Sequence, residues 1–146
     1  MGEFDSAVLP GAREGKKATK YFTSDEANRS LVLVSKVVKD ILTLYCRAKI
    51  LEEQYSVLDR ETERTQRKLL KRHYEGLLKQ LQGYNRELGE IGCRLRDWQT
   101  GAVDWPAFYQ DREIYLCWRM GEGKVQYYHE AYESFAARRR LPTDLK

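Results

Sequence analysis

The stretch Leu88-Gly89-Glu90-Ile91-Gly92-Cys93-Arg94-Leu95-Arg96-Asp97-Trp98 decides the fold of this chain, because the spacing of apolar residues changes across it. Upstream they recur every three or four positions. Downstream they alternate with polar ones. Gly89 and Gly92 punctuate the change, as glycine does where a helix ends in a left-handed residue. Helices are therefore expected before Gly92 and strands after it.

Reading backwards, Leu70, Tyr74, Leu77, Leu81, Tyr84, Leu88 and Ile91 step by 4-3-4-3-4-3, the narrow seam of a helix lying along a partner helix. A matching seam runs through Ala27, Leu31, Val34, Val38, Ile41, Tyr45 and Ala48, then slips to Leu51, Tyr55 and Leu58. It opens on Thr23-Ser24-Asp25-Glu26, the pattern of a capping box in which the Thr23 hydroxyl and the Glu26 carboxylate satisfy each other's backbone amides. The polar stretch Asp59 to Lys68 joins the two seams without Gly or Pro, so a hairpin is expected over residues 21–91, with its turn placed only to within several residues and a single kinked helix still open. Residues 1–19, with Pro10 and no periodic apolar set, are expected to be a disordered leader or an expression scar.

Reading forwards, Cys93, Leu95 and Asp97 alternate with Arg94, Arg96 and Trp98, Gln99-Thr100-Gly101 reads as a turn, and Val103 and Trp105 precede Pro106, which is expected to close that strand. The clearest hairpin follows: Ile114, Leu116 and Trp118, then Met120-Gly121-Glu122-Gly123, then Val125, Tyr127 and His129. A regular loop sets Trp118 opposite Val125, Leu116 opposite Tyr127, Ile114 opposite His129 and Glu113 opposite Glu130. Ile114, Leu116, Trp118, Val125 and Tyr127 should then form one inward face. Residues 131–141 read as a short helix or ordered loop, and 142–146 as a frayed tail. The fold class is α+β: a long antiparallel helical hairpin followed by a small antiparallel β-sheet, one domain over residues 20–141 with its β module at 92–137.

Several of these strings resemble a bacterial family, the domain-of-unknown-function family 2203. They are Tyr21-Phe22-Thr23-Ser24-Asp25-Glu26-Ala27, Gly92-Cys93-Arg94-Leu95-Arg96-Asp97, Gly101-Ala102-Val103-Asp104-Trp105-Pro106, Arg112-Glu113-Ile114-Tyr115-Leu116-Cys117-Trp118-Arg119-Met120-Gly121-Glu122 and His129-Glu130. The resemblance spans about residues 20 to 140 and departs at Ser134-Phe135-Ala136-Ala137-Arg138, where the family usually has glycines flanking Phe-Ala. It implies a fold and no reaction.

Any site is expected in the β module, which holds all three tryptophans and ten of the seventeen aromatic residues. Cys93, Cys117, His129, Asp97, Asp104 and Glu130 are the ligand-type side chains there. The regular register puts Cys117 and His129 on opposite faces, leaving Cys93, Asp97 and His129 as the metal candidates, with a divalent metal as the cofactor they would take. Asp104, Arg112, Glu113, Trp118, His129 and Glu130 are the candidates for a small-ligand site. The bland alternatives are a hydrogen-bonded core histidine, a buried small thiol and a turn acceptor at Asp97. Glu113 beside Glu130, with Arg112 or Arg119 as the cation between them, is the one pair that would tune a general acid, but charges on an outer sheet face are more often solvated. Cys117 has no histidine on its own face in this register, which disfavours a Cys-His nucleophile, and no phosphate loop or di-iron pattern is present in the sequence.

The net charge of +4 does not define a binding face: acids outnumber bases in 92–137, and the excess of bases lies in Arg138-Arg139-Arg140 and the tail, which makes nucleic acid an unlikely partner. Three cysteines, an odd number without a Cys-x-x-Cys spacing, and the lack of an apolar signal segment or membrane-length run place the chain in the cytoplasm, off the membrane. The hairpin presents more apolar surface than 46 residues of sheet can cover, so the expected function is a non-enzymatic interaction or scaffold module. It would self-associate into a homo-oligomer through the helical seams, or bind a protein partner there. The alternative is a metal- or small-ligand-binding protein with its site around His129.

Overall fold

The computed structural model describes residues 20–145; the expected leader, residues 1–19, lies outside them. Two helices, α1 (Ser24–Ser56) and α2 (Arg64–Ile91), precede five strands, β1 (Arg94–Asp97), β2 (Ala102–Tyr109), β3 (Arg112–Trp118), β4 (Tyr127–Glu130) and β5 (Arg139–Arg140). The strands form one antiparallel sheet in chain order. This is the α+β arrangement that the change of period implies. Among the described residues no helix is long and apolar enough to cross a membrane.

The capping box forms as read: Glu26 N–H donates to Thr23 Oγ1 at 3.1 Å and Thr23 N–H to Glu26 Oε1 at 2.9 Å. Both seams are spent inside the chain. Ala27, Leu31, Val34, Val38, Ile41 and Ala48 of α1 are buried, as are Tyr74, Leu77, Leu81 and Leu88 of α2. The connection is shorter than the polar stretch suggests, because Arg64 to Lys68 already belong to α2. Its turn is made by side chains instead of glycine: Asp59 Oδ1 accepts from the Glu61 and Thr62 amides, and Glu63 Oε2 accepts from the Asp59 amide. Arg67 folds back to donate to Tyr55 Oη at 2.8 Å and to Leu58 O at 3.1 Å, closing the hairpin at its tip.

At the other end Gly92 takes φ +112°, and both Gly92 and Cys93 donate to Leu88 O, turning α2 into β1. A Cβ here would lie 2.9 Å from the Phe22 ring, so glycine is required twice over. The inner face of the sheet then packs on α1. Trp105 Nε1 donates to Ser30 Oγ at 3.0 Å, Asn28 exchanges two hydrogen bonds with the Val125 backbone, and Tyr45 stacks on Trp98.

Two strand expectations are corrected. Pro106 lies inside β2, paired with Tyr115. It is tolerated because β1 has already ended beside it, and its carbonyl accepts from Phe22 N–H where a neighbouring strand would otherwise lie. The β3–β4 register also differs by one residue: Ile114 faces Glu130, Tyr115 faces His129, Leu116 faces Tyr128 and Cys117 faces Tyr127. The loop is not a regular hairpin. Its turn is closed early by Glu122 N–H to Arg119 O, and Val125 is then taken by Asn28 of α1 instead of pairing with Trp118. One residue of slip reverses every side chain of β4, so the inward tyrosine is Tyr128, not Tyr127, while Ile114, Leu116, Trp118 and Val125 are buried as expected. Residues 131–141 hold a single 3₁₀ turn (Phe135–Ala137) and then β5, whose Arg139 and Arg140 pair with Tyr128 and Tyr127. Beyond β5, Tyr109 Oη donates to Asp144 at 3.1 Å.

Candidate functional site

The slip in register assembles a polar cluster on the sheet's outer face, the one turned away from α1. Alternation sends Asp104 of β2, Cys117 of β3 and His129 of β4 to that face, and all three are fully buried. Their cover is made of longer neighbours. Arg96 reaches in from β1, Arg94 lies over the Tyr115 ring, and Arg138 lies over the rings of Tyr127 and Phe135.

His129 is held at both ring nitrogens. Nδ1 is 2.9 Å from Glu130 O and Nε2 is 3.2 Å from Asp104 Oδ2. A carbonyl and a carboxylate both accept, so the ring satisfies both contacts only by donating twice, as an imidazolium. Burial pulls its pKa down, but the hydrogen bond and charge of Asp104, helped by the Glu130 carbonyl, outweigh burial and hold it above the usual histidine value. Arg96 Nε reaches the same Asp104 oxygen at 3.1 Å. Oδ2 thus serves two cations, while the buried Oδ1 has no hydrogen-bond partner among the described residues.

A second ion pair adjoins it. Arg112 grips Glu130 with two parallel bonds of 2.7 and 2.8 Å and holds its carboxyl below the usual range. Of the two cations the sequence offered, Arg112 pairs with Glu130 and Arg119 with Glu122, and Glu113 is not Glu130's neighbour. Glu113 faces Phe108 across β2 and accepts from Tyr21 Oη at 2.9 Å and Tyr115 Oη at 3.3 Å. The expected Glu113–Glu130 pair is therefore corrected, since the slipped register puts these side chains on opposite faces.

The remaining candidates are dispersed. Trp118 lies on the inner face, its Nε1 donating to Glu122 O at 2.8 Å. Cys93 follows the Gly92 cap of α2, with Sγ donating to Leu88 O at 3.5 Å and burial pushing its thiol up to about 12. Asp97 caps a turn, accepting from Gln99 N–H at 3.0 Å and Thr100 Oγ1 at 2.8 Å. Cys93, Asp97 and His129 are not brought together. Among the described residues no group of three or more His, Cys, Asp or Glu side chains is placed to hold a metal ion. Cys117 does share the His129 face, against the expectation from parity, but burial pushes its thiol up to about 12 as well. A thiol so far from ionising is no nucleophile.

Sequence reasoning missed Arg96 and Arg138. Arg96 was one of two arginines alternating along β1, with nothing to distinguish it from a solvated charge. Arg138 stood in a basic run that read as a solvated tail, yet it donates to Glu122 from both terminal nitrogens, and burial of Glu122 is overcome so that its carboxyl sits below the usual range. Arg139 likewise grips Glu133 at 2.7 Å. The signal was Glu122 in the loop before β4, legible only once the loop's path is known.

The cluster lies within the length over which the chain matches a known family, residues 20–141, described as uncharacterized conserved protein (DUF2203). The chain belongs to that family. No curated protein and no solved structure matches it. Four of the strings by which this DUF2203 chain resembled the family supply the buried cluster: Gly92–Asp97 gives Arg96, Gly101–Pro106 gives Asp104, Arg112–Glu122 gives Cys117, and His129-Glu130 gives His129.

Proposed function

We infer that the protein is a non-catalytic interaction module that self-associates through its helical hairpin. The observation that carries this reading is the reach of the hairpin beyond the sheet. α1, about 50 Å long at 1.5 Å per residue, meets the sheet through Asn28, Ser30, Val38 and Tyr45, all in its first two thirds. Val32, Leu33, Ile50, Val57 and Leu69 remain exposed on or beside the helices, Val57 at 81% and Val32 at 68%. With the seams already buried, these outer positions are where a partner would sit.

The competing reading, a ligand site around His129, is weakened by the same geometry that defines the cluster. Both ring nitrogens are engaged, Asp104 and Glu130 are ion-paired, and both buried thiols are held protonated. Three free cysteines, Cys46 exposed and Cys93 and Cys117 buried, fit a reducing compartment such as the cytoplasm. Light scattering across a hundredfold range of concentration tests the proposal: a mass that rises to a defined oligomer supports it, and a monomer throughout removes it.

A further inference from the structure

α1 carries a second heptad-spaced stripe, on the side opposite its buried seam. Val32, Lys36, Lys39, Thr43, Cys46, Ile50, Glu53 and Val57 step by 4-3-4-3-4-3-4, and every one of them is exposed. From Val32 to Glu53 each lies one or two residues beyond a buried or half-buried position and, at 100° per residue, most stand about 200° around the helix from the seam. A 3.5-residue spacing keeps such a stripe in line along a supercoiled partner helix.

The stripe is complementary to itself when reversed. Laid antiparallel about a two-fold axis between Leu44 and Tyr45, Val32 meets Val57 of a second copy, Lys36 meets Glu53, Lys39 meets Ile50 and Thr43 meets Cys46. The flanking residues agree: exposed Asp40 falls beside exposed Arg47 of the second copy. Apolar side chains thus close both ends, opposite charges meet inside them, and the Lys39 stem can lie along Ile50. Two-fold symmetry supplies each contact twice. In a parallel pairing Lys36 would meet Lys36, Lys39 would meet Lys39 and Glu53 would meet Glu53, so the charges choose the antiparallel sense.

We propose that the outer face of α1, from Val32 to Val57, binds a second copy of this chain as an antiparallel two-fold helix pair. The inference rests on the self-association reading and gives it a face and a register. Cys46 is the reporter. It lies one and a half residues from the two-fold axis, and the other two thiols are buried, with burial pushing each up to about 12.

The test combines sedimentation equilibrium of the full chain with a short bifunctional maleimide at Cys46. The expected result is a dimer that cross-links efficiently through Cys46. Lys36→Glu should weaken it about tenfold, by setting like charges together in two symmetric contacts, and Lys36→Glu with Glu53→Lys should restore it. Melting curves of the variants establish that they fold, since both positions are exposed. A dimer that ignores Lys36→Glu and does not cross-link at Cys46 overturns this face while leaving self-association standing. A chain that is monomeric at every concentration overturns both.

Discussion

The hairpin and the sheet bury their side chains in opposite ways. Along α1 and α2 one side of each helix is hidden by a row of aliphatic and aromatic residues, and the other side is left in water. The sheet hides both faces. Its inner face is apolar but for the Arg112–Glu130 pair at the β3–β4 end, while its outer face holds Asp104, Cys117 and His129 without exposure beneath arginines and tyrosines. An apolar seam tolerates exchanges that conserve volume, but a buried charge cluster fails when any one partner is removed. The hairpin is therefore the part of the molecule able to change its surface, and the sheet is the part that fixes the fold.

The sharpest way to break that contrast is in the sheet's inner layer. Trp105 is fully buried with its indole N–H bonded to Ser30. Trp105→Ala is expected to cost about 3–5 kcal/mol, from the lost burial and the cavity it leaves, measured by denaturant unfolding. A cost near that of an exposed helix substitution, under about 0.5 kcal/mol, would mean the sheet does not anchor α1. Next comes the outer layer. Asp104→Asn keeps the shape but strips the negative charge from between His129 and Arg96, and is expected to cost about 2–3 kcal/mol, the Arg96 share reduced because that side chain is one third exposed. If Asp104→Asn is neutral, the cluster is a solvated surface feature and the contrast with the hairpin is lost.

How much of this was legible is itself divided along the same line. The hairpin was read nearly whole, because helix packing is local: a seam at 3.5-residue spacing and a Thr-x-x-Glu cap specify their own geometry within a few turns. Its turn could be placed only to within several residues for the same reason, since Asp59 and Glu63 make with side chains what Gly usually makes with backbone. The inner face was read in all but one residue, Tyr127 standing where Tyr128 belongs. The outer cluster was not legible. It depends on the path of the loop from Arg119 to Gln126, on Asn28 ninety-seven residues away capturing Val125, and on a register in which one residue reverses the strand. The β2–β3 turn was equally silent, because Gln110 and Asp111 take φ of +51° and +61° without the Asn-Gly signature. The hydrogen-bonded core histidine offered for His129 matches its contacts, but which carboxylate it meets, Asp104, follows only from the register.

The pH dependence sharpens the comparison more gently. The raised pKa of His129 means that the folded state binds a proton more tightly than the unfolded chain. Its contribution is fully present below the unfolded value of about 6.5 and is lost as pH rises through the folded value. The melting temperature should fall across that window, and His129→Gln should flatten the fall. The two thiols, raised to about 12, add a later loss that begins only above their unfolded value near 8.5. The carboxyls of Glu122 and Glu130 act in the reverse sense: lowered in the fold, they stabilise above the unfolded carboxylate range, and that stability disappears as pH falls through their folded values. All these groups sit in the β module, so a profile left unchanged by His129→Gln would place the neutral-range titration elsewhere.

The smallest expected effect lies where the two regions join. Thr23 caps α1 with a single hydroxyl, and Thr23→Ala should cost about 1 kcal/mol, the usual loss of one satisfied N-terminal amide. Yet the neighbouring Phe22 is pinned to both regions: its N–H donates to Pro106 O in β2, and its ring lies against Gly92 at the end of α2. If the cap only starts a helix, the loss stays near that figure and thermal unfolding remains a single transition. If it also holds Phe22 in place, the cost exceeds about 2 kcal/mol, and amide exchange in β2 accelerates along with that of the first turn of α1. Hydrogen exchange read residue by residue separates the two outcomes, and with them decides whether hairpin and sheet are two halves meeting at a face or one structure fastened at Phe22.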